Sequence, residues 1–140
     1  MMPTVDLYMT PAPYCVTPTD DVGRARELMD RHRFRHLPVV DGTELVGVVL
    51  RRDLVAIENR GGPEAKAAPV TQAMRPALSV SSNMTLDEAV DLMIEHDLDC
   101  LVVRAPSGVI TGILTAIDAL KVIDLKARQR NGAPSKHAPS

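Results

Sequence analysis
The feature that most constrains this 140-residue chain is that it contains itself twice. Val22, Ala25, Leu28 and Met29 return 64 positions later as Leu86, Ala89, Leu92 and Met93. Phe34 corresponds to Leu98, His36-Leu37 to Cys100-Leu101, and Val39 to Val103. Farther on, Gly47-Val48-Val49 matches Gly112-Ile113-Leu114 and Asp53 matches Asp118, now 65 positions apart. One residue inserted in the turn around Ala105 to Gly108 accounts for the change. Upstream, Met9-Thr10-Pro11 recurs as Met74-Arg75-Pro76, and Val16 as Val80. A repeat of this kind is one supersecondary unit used twice. Each half alone is close to the size at which a single core becomes marginal, so the halves are expected to share burial.

Both halves have the same coarse order. A proline-bearing leading segment (9–18, 74–82) holds a short extended piece, Tyr14 to Val16 or Leu78 to Val80. Apolar residues at helical spacing then predict helices over 20–32 and 85–96. Thr85 and Glu88 add the capping-box pattern S/T-x-x-E to the second. Two β-rich runs follow, 36–40 with 45–50 and 100–104 with 109–114, and Asp41-Gly42 is a tight-turn signal within the first pair. Short helices near 51–59 and 116–125 close the halves. Residues 59–69, with Gly61-Gly62-Pro63, read as a linker, because proline cannot continue a helix. The reading is therefore a first unit at 5–58, a linker at 59–69, a second unit at 70–124, and a disordered tail at 125–140 rich in polar residues.

Composition closes off several functions. The net charge is −2 and the chain has one Phe, two Tyr and no Trp, which leaves little for stacking single-stranded nucleic acid. No apolar run is long enough to cross a bilayer, and the N-terminal residues lack a signal-peptide pattern, so a cytoplasmic protein without membrane contact is expected. Cys15 and Cys100 fit no metal-ligand spacing and are expected to be free thiols; no metal site is expected. The sequence has no HExxH, P-loop or dinucleotide glycine motif, so no enzyme is expected and no cofactor is required.

The ordered set M-T-P, V-x-x-A-x-x-L-M, H-L-P-V-V-D-G and L-V-G-V-V with a terminal Asp occurs in copy one. In copy two it is M-R-P, L-x-x-A-x-x-L-M, C-L-V-V and G-I-L-T-A-I-D. Taken together, over residues 5–124, the chain resembles a tandem pair of CBS domains, a Bateman module. The resemblance implies an α+β fold of two βαββα units packed about a pseudo-twofold axis. It also implies clefts between the copies that take AMP, ADP, ATP or an S-adenosyl compound, a homodimer, and regulation of an attached or separate protein.

The family's ligand motif, G-h-h-[ST]-x-x-D, is complete in copy two from Gly112 to Asp118. A Thr115 hydroxyl and first-turn backbone N–H groups can donate to phosphate, and the Asp118 carboxylate can accept from ribose hydroxyls. An N-cap paired with a first-turn acid is the equally plain structural role for these two. Copy one has Leu50 in place of the hydroxyl, leaving Asp53 for ribose and Arg51 or Arg52 for phosphate. The remaining walls are expected from Leu78, Ser79, Val80, Cys100 and Leu101 in copy two, and from Tyr14, Cys15, Val16, His36, Leu37 and Pro38 in copy one. Leu50 also keeps alive a ligand-free scaffold that binds only a protein partner.

Charge is unequal between the halves. Arg24, Arg26, Arg31, Arg33 and Arg35 surround the first helix, while Asp87, Glu88, Asp91, Glu95, Asp97 and Asp99 surround its counterpart. A head-to-tail homodimer could set one against the other, with charge choosing orientation more than supplying affinity.

Overall fold
A computed structural model describes residues 3–11 and 14–131. Its first half contains β1 (Thr10–Pro11), α1 (Val22–His32), β2 (His36–Asp41), β3 (Glu44–Leu50) and α2 (Arg51–Gly61). The second contains β4 (Ser79–Ser81), α3 (Leu86–Glu95), β5 (Cys100–Arg104), β6 (Ile110–Thr115) and α4 (Ala116–Asn131). This is an α+β fold of two tandem units. No helix among the described residues is long and apolar enough to cross a membrane.

Local chemistry accounts for most of the boundaries. The side chain of Asp21 accepts the Arg24 N–H at 2.7 Å to start α1, and Arg33, at φ 61°, ends it. The Thr85/Glu88 capping box forms at the start of α3. Gly42, at φ 66°, sits in the turn between antiparallel β2 and β3, where only glycine adopts positive φ without strain. Two segments differ from expectation. The linker is packed structure: Ala65 is buried, the Val22 N–H donates to the Ala68 carbonyl at 2.8 Å, and the Val70 N–H donates to the Asp20 carbonyl at 2.9 Å. In addition, α4 continues to Asn131, helped by an i,i+4 pair between Asp124 and Arg128, so residues 125–131 of the expected tail are helical. The rest of that tail lies outside the described residues.

The halves are joined by an exchange of leading segments. β1 of the first half pairs antiparallel with β6 of the second, Thr10 opposite Ile113 and Pro11 opposite Gly112. Reciprocally, Arg75 of the second half bonds Val48 on β3 of the first, N–H to carbonyl in both directions at 2.8 and 3.0 Å. The next extended piece stays at home, with Val16 bridging β2 and β4 running parallel to β5. Each core is accordingly built by both halves. Val70 and Ala73 are buried with Val22, Met29, Leu37 and Leu54, while Val5 is buried with Leu86, Leu101, Leu114 and Val122. Val5 and Val70 are fully buried, so each stabilises the association by roughly 1.5–3 kcal/mol. A third cluster, Val48, Leu50, Cys100 and Ile113, closes the seam between the halves.

Glycine makes the crossing possible. A Cβ on Gly47 would lie 2.3 Å from the Met74 Cγ and 2.8 Å from the Arg75 carbonyl oxygen. A Cβ on Gly112 would lie 2.5 Å from the Met9 Sδ and 2.8 Å from the Thr10 carbonyl oxygen. The methionines can swing aside, but the backbone oxygens are held by the pairing itself. Gly47→Ala and Gly112→Ala should each lower stability by about 1–3 kcal/mol, as overpacking does. The two sites are distinct crossings, so the double variant should lose close to the sum in urea unfolding.

Candidate functional site
Among the described residues the crossed architecture leaves a pair of clefts at the seam, each walled by both halves. The larger, about 860 Å³, runs from Arg33, Phe34, Arg35 and His36 at the start of β2 to Ile113, Thr115, Ala116 and Ile117 at the junction of β6 and α4. Thr10, Leu50, Arg51, Arg52, Asp99 and Lys121 complete it. The smaller, about 550 Å³, is its pseudo-symmetric counterpart, formed by His96 to Cys100 with Val48, Leu50, Arg75 and Pro76. Both volumes are within the range of small-molecule sites.

Thr115 and Asp118 form a reciprocal cap. The Thr115 N–H donates to Asp118 Oδ2 at 3.0 Å, and the Asp118 N–H donates to Thr115 Oγ1 at 3.1 Å. Thr10 adds its hydroxyl to Asp118 Oδ2 at 3.2 Å. The structural role considered from sequence is therefore fulfilled, and it leaves capacity over. Thr115 Oγ1 accepts one bond and keeps its own proton to donate, and a carboxylate has about four acceptor positions. Asp118 itself stands behind Thr10 and Thr115, not on the cleft wall.

The first turn of α4 supplies less than expected. The Ala116 N–H donates to the Asp99 carbonyl at 2.9 Å, and the N–H groups of Thr115 and Asp118 are used in the cap. The same happens at α2, where the Arg51 N–H donates to the Arg35 carbonyl at 2.9 Å. With these N–H groups engaged, cationic side chains are the charged groups available to hold an anion here. Five of those lining the larger cleft are cationic (Arg33, Arg35, Arg51, Arg52 and Lys121), against Asp99 alone as an anion. Arg51 pairs with Asp30 at 3.1 Å and Arg52 with Asp99 at 3.5 Å, but these pairs are exposed and each is worth at most about 1 kcal/mol. His36 is half-buried, and burial pulls its pKa below the ordinary value, outweighing the raising effect of Asp99. It is neutral at pH 7.

The smaller cleft is different. At the position of Thr10 it has Arg75, which binds both oxygens of Asp53, Nε to Oδ2 at 2.6 Å and Nη2 to Oδ1 at 3.0 Å. Asp53 is thus the fork-on-carboxylate partner of an arginine, and its carboxyl is held below the usual range chiefly by that hydrogen bond. Leu50, 2% exposed, is part of the seam. Asp97 and Asp99 outweigh Arg75 among the charges on this cleft.

The other expected wall residues divide sharply. His36, Arg51 and Arg52 line the larger cleft with Thr115, and Cys100 lines the smaller one. Thr115 and Cys100 are cross-strand neighbours on β6 and β5, yet they line different clefts. Val80, Leu101, Val16 and Leu37 are core residues, and Pro38 is buried with its carbonyl accepting the Val16 N–H. Leu78 packs on the second core, and Ser79 is exposed on β4. Tyr14 stacks on His32, ring centroids 4.1 Å apart, and Cys15 is exposed outside both clefts. Sequence reasoning missed Thr10, Arg33, Arg35, Ile113 and Lys121. Thr10 was signalled by the Met9-Thr10-Pro11 repeat, but its placement depends on the exchange between halves.

The sequence profile of the CBS domain matches residues 5–59 and again 70–125. The chain belongs to the CBS-domain family. CBSX2 from Arabidopsis thaliana, a CBS-pair protein, shares 29% identity and a TM-score of 0.70, covering 91% of this chain and 99% of that one. A structure of CBSX2 in complex with AMP gives 30% identity and a TM-score of 0.66, covering 90% and 99%. An inosine-5'-monophosphate dehydrogenase from Korarchaeum cryptofilum (strain OPF8) is 36% identical over 103 residues, 74% of this chain and 21% of that protein. The chain thus spans about a fifth of the length of the curated relatives it matches.

The Asp53–Arg75 pair in this CBS pair has a pH signature. Because the folded-state pKa of Asp53 is depressed, its stabilisation is present above the unfolded-state value, near 3.9, and is lost as pH falls through the folded value. Asp53→Asn should flatten the acid limb of the stability profile. Since the pair is partly exposed, the difference at neutral pH should be no more than about 1 kcal/mol, read from urea midpoints across the acidic range.

Proposed function
We propose that this CBS pair is a non-catalytic regulatory module that binds an adenine nucleotide in the larger cleft. The observation that carries the proposal is the concentration of four arginines and one lysine around a Thr115 hydroxyl that retains a free proton. Phosphates would lie against Arg51 and Arg52, ribose against Thr115 with Asp118 behind it, and the purine against the apolar surface of Leu50, Ile113 and Ile117. The AMP complex of CBSX2, a relative of similar size, supports this ligand class. S-adenosylmethionine carries a sulfonium cation, which the same basic wall disfavours. The smaller cleft, with Asp53 held by Arg75 and no hydroxyl at Leu50, is the weaker site.

Because each cleft is bounded by both halves, a ligand that fits one relative packing better than another would shift the population between them. A regulated protein partner would read that shift. Titration calorimetry should give one nucleotide per chain, with affinity rising from AMP to ADP to ATP and falling with salt. Asp118→Ala or the pair Arg51→Ala with Arg52→Ala should weaken binding by at least about tenfold, the worth of one charge-assisted hydrogen bond or more. Asp53→Ala should leave it unchanged. Binding that ignores phosphate number, or that fails with Asp53→Ala instead, would overturn the assignment.

A homodimer is the second part of the reading, and the structure favours a different face from the charge-paired one. Arg24, Arg26 and Arg31 are matched within their own half by Glu27, Asp30 and Glu58, so they are poor partners for an acidic helix of another copy. On α4, Ile117, Leu120 and Ile123 are each more than half exposed and, at about 100° per residue, fall on one side of the helix. Ile94 of α3 is 74% exposed. An isologous dimer would bury such a stripe against its own copy. Leu120→Glu should convert the dimer to monomer in sedimentation analysis, while Arg31→Glu should leave it intact.

A further inference from the structure
Strand starts that are equivalent in the repeat meet at the seam. His36 opens β2 and Cys100 opens β5, and beside Cys100 stands Asp99. The ligand atoms of these three side chains all lie within 4.8 Å of one another. Neither ring nitrogen of His36 nor the sulfur of Cys100 has a hydrogen-bond partner among the described residues. From these three residues we propose a site for a single thiolate-preferring divalent cation, of the Zn²⁺ or Co²⁺ type, that clips the two halves together.

The chemistry of the donor set narrows the ion. Imidazole, thiolate and carboxylate are the usual ligands of Zn²⁺, at about 2.0–2.3 Å, which sets neighbouring ligand atoms roughly 3.3–3.6 Å apart. Closing from 4.8 Å needs a shift of the order of 1 Å, available to Asp99, which is exposed. Its salt bridge with Arg52 is exposed on both sides and costs little to release. Cys100 is buried beside the other two donors, and a metal–thiolate bond there forms with loss of the thiol proton. Arg35, Arg52 and Arg75 face these groups and oppose any cation, whereas Asp118 and Asp99 favour it. That opposition excludes hard ions such as Mg²⁺ and Ca²⁺, which have one carboxylate here and nothing else they prefer. It leaves those for which a metal–thiolate bond compensates.

The test uses the full chain without nucleotide, so its outcome is separate from that of the nucleotide proposal. Added Co²⁺ should produce a thiolate-to-metal charge-transfer band saturating at one ion per chain, and excess Mg²⁺ should not suppress it. Competition with a chromophoric chelator should report Zn²⁺ binding that weakens at least ~10-fold in His36→Ala and in Asp99→Asn, since even outer partners are worth about 10–100-fold. Cys100→Ala should abolish the band, and Cys15→Ser should keep it. Far-ultraviolet circular dichroism identifies any variant that fails to fold, and Asp99→Asn, at an exposed position, serves where the others do not. No band in the wild-type chain, a band that disappears with Cys15→Ser, or a band unaltered in Cys100→Ala would overturn the site.

Discussion
Everything in this fold depends on two short backbone crossings, where the leading segment of each half lies across the last strand of the other. The Val48–Arg75 pair of hydrogen bonds and the β1–β6 register are the crossings themselves, and Gly47 and Gly112 are the gaps through which the chain passes. A net backbone hydrogen bond contributes only about 1 kcal/mol. The crossings matter because of what they deliver, namely Val5 to one core and Val70 to the other. Neither half can leave without withdrawing an apolar side chain from its partner, which is how two units of marginal size become one stable body.

The same exchange explains why each cleft is composite. Thr10 reaches Asp118 only because β1 belongs to the second sheet, and Arg75 reaches Asp53 only because its segment belongs to the first. Threonine at one crossing and arginine at the other give the clefts opposite characters. A neutral hydroxyl shares Asp118 without neutralising it. A guanidinium takes both oxygens of Asp53 and leaves that corner closed. One substitution within a repeat thus decides which of two pseudo-equivalent sites keeps a usable carboxylate.

How far this could be read from sequence follows from the range of each interaction. Helices and hairpins were legible because their signals are local: the capping box at Thr85 and Glu88, the stripe of Val22, Ala25, Leu28 and Met29, the turn at Gly42. Thr115, His36, Arg51 and Arg52 were legible as cleft residues because they lie at strand–helix junctions fixed by that local order. Most of the failures are long-range, the helical run of residues 125–131 being a local exception. Val80 and Leu101 were expected on a cleft wall, yet strand alternation turns both into the second core. Nothing in the sequence around Thr10 says that it bonds a residue in the other half.

The repeat also determines where asymmetry has consequences. Equivalent residues far from the pseudo-twofold axis never meet, so a difference between them is only local. Equivalent residues beside the axis face one another, and a difference there creates a mixed site. His36 and Cys100 are such a pair, and their register partners, Leu50 and Thr115, end the equivalent strands β3 and β6. A strictly symmetric duplication would place two imidazoles or two thiols together and two identical clefts on either side. Divergence at the axis instead gives one cleft a hydroxyl and basic walls and the other a sealed leucine corner. Between them it sets a nitrogen, a sulfur and a carboxylate within reach of one another, a combination that a plain duplicate of either half would not contain.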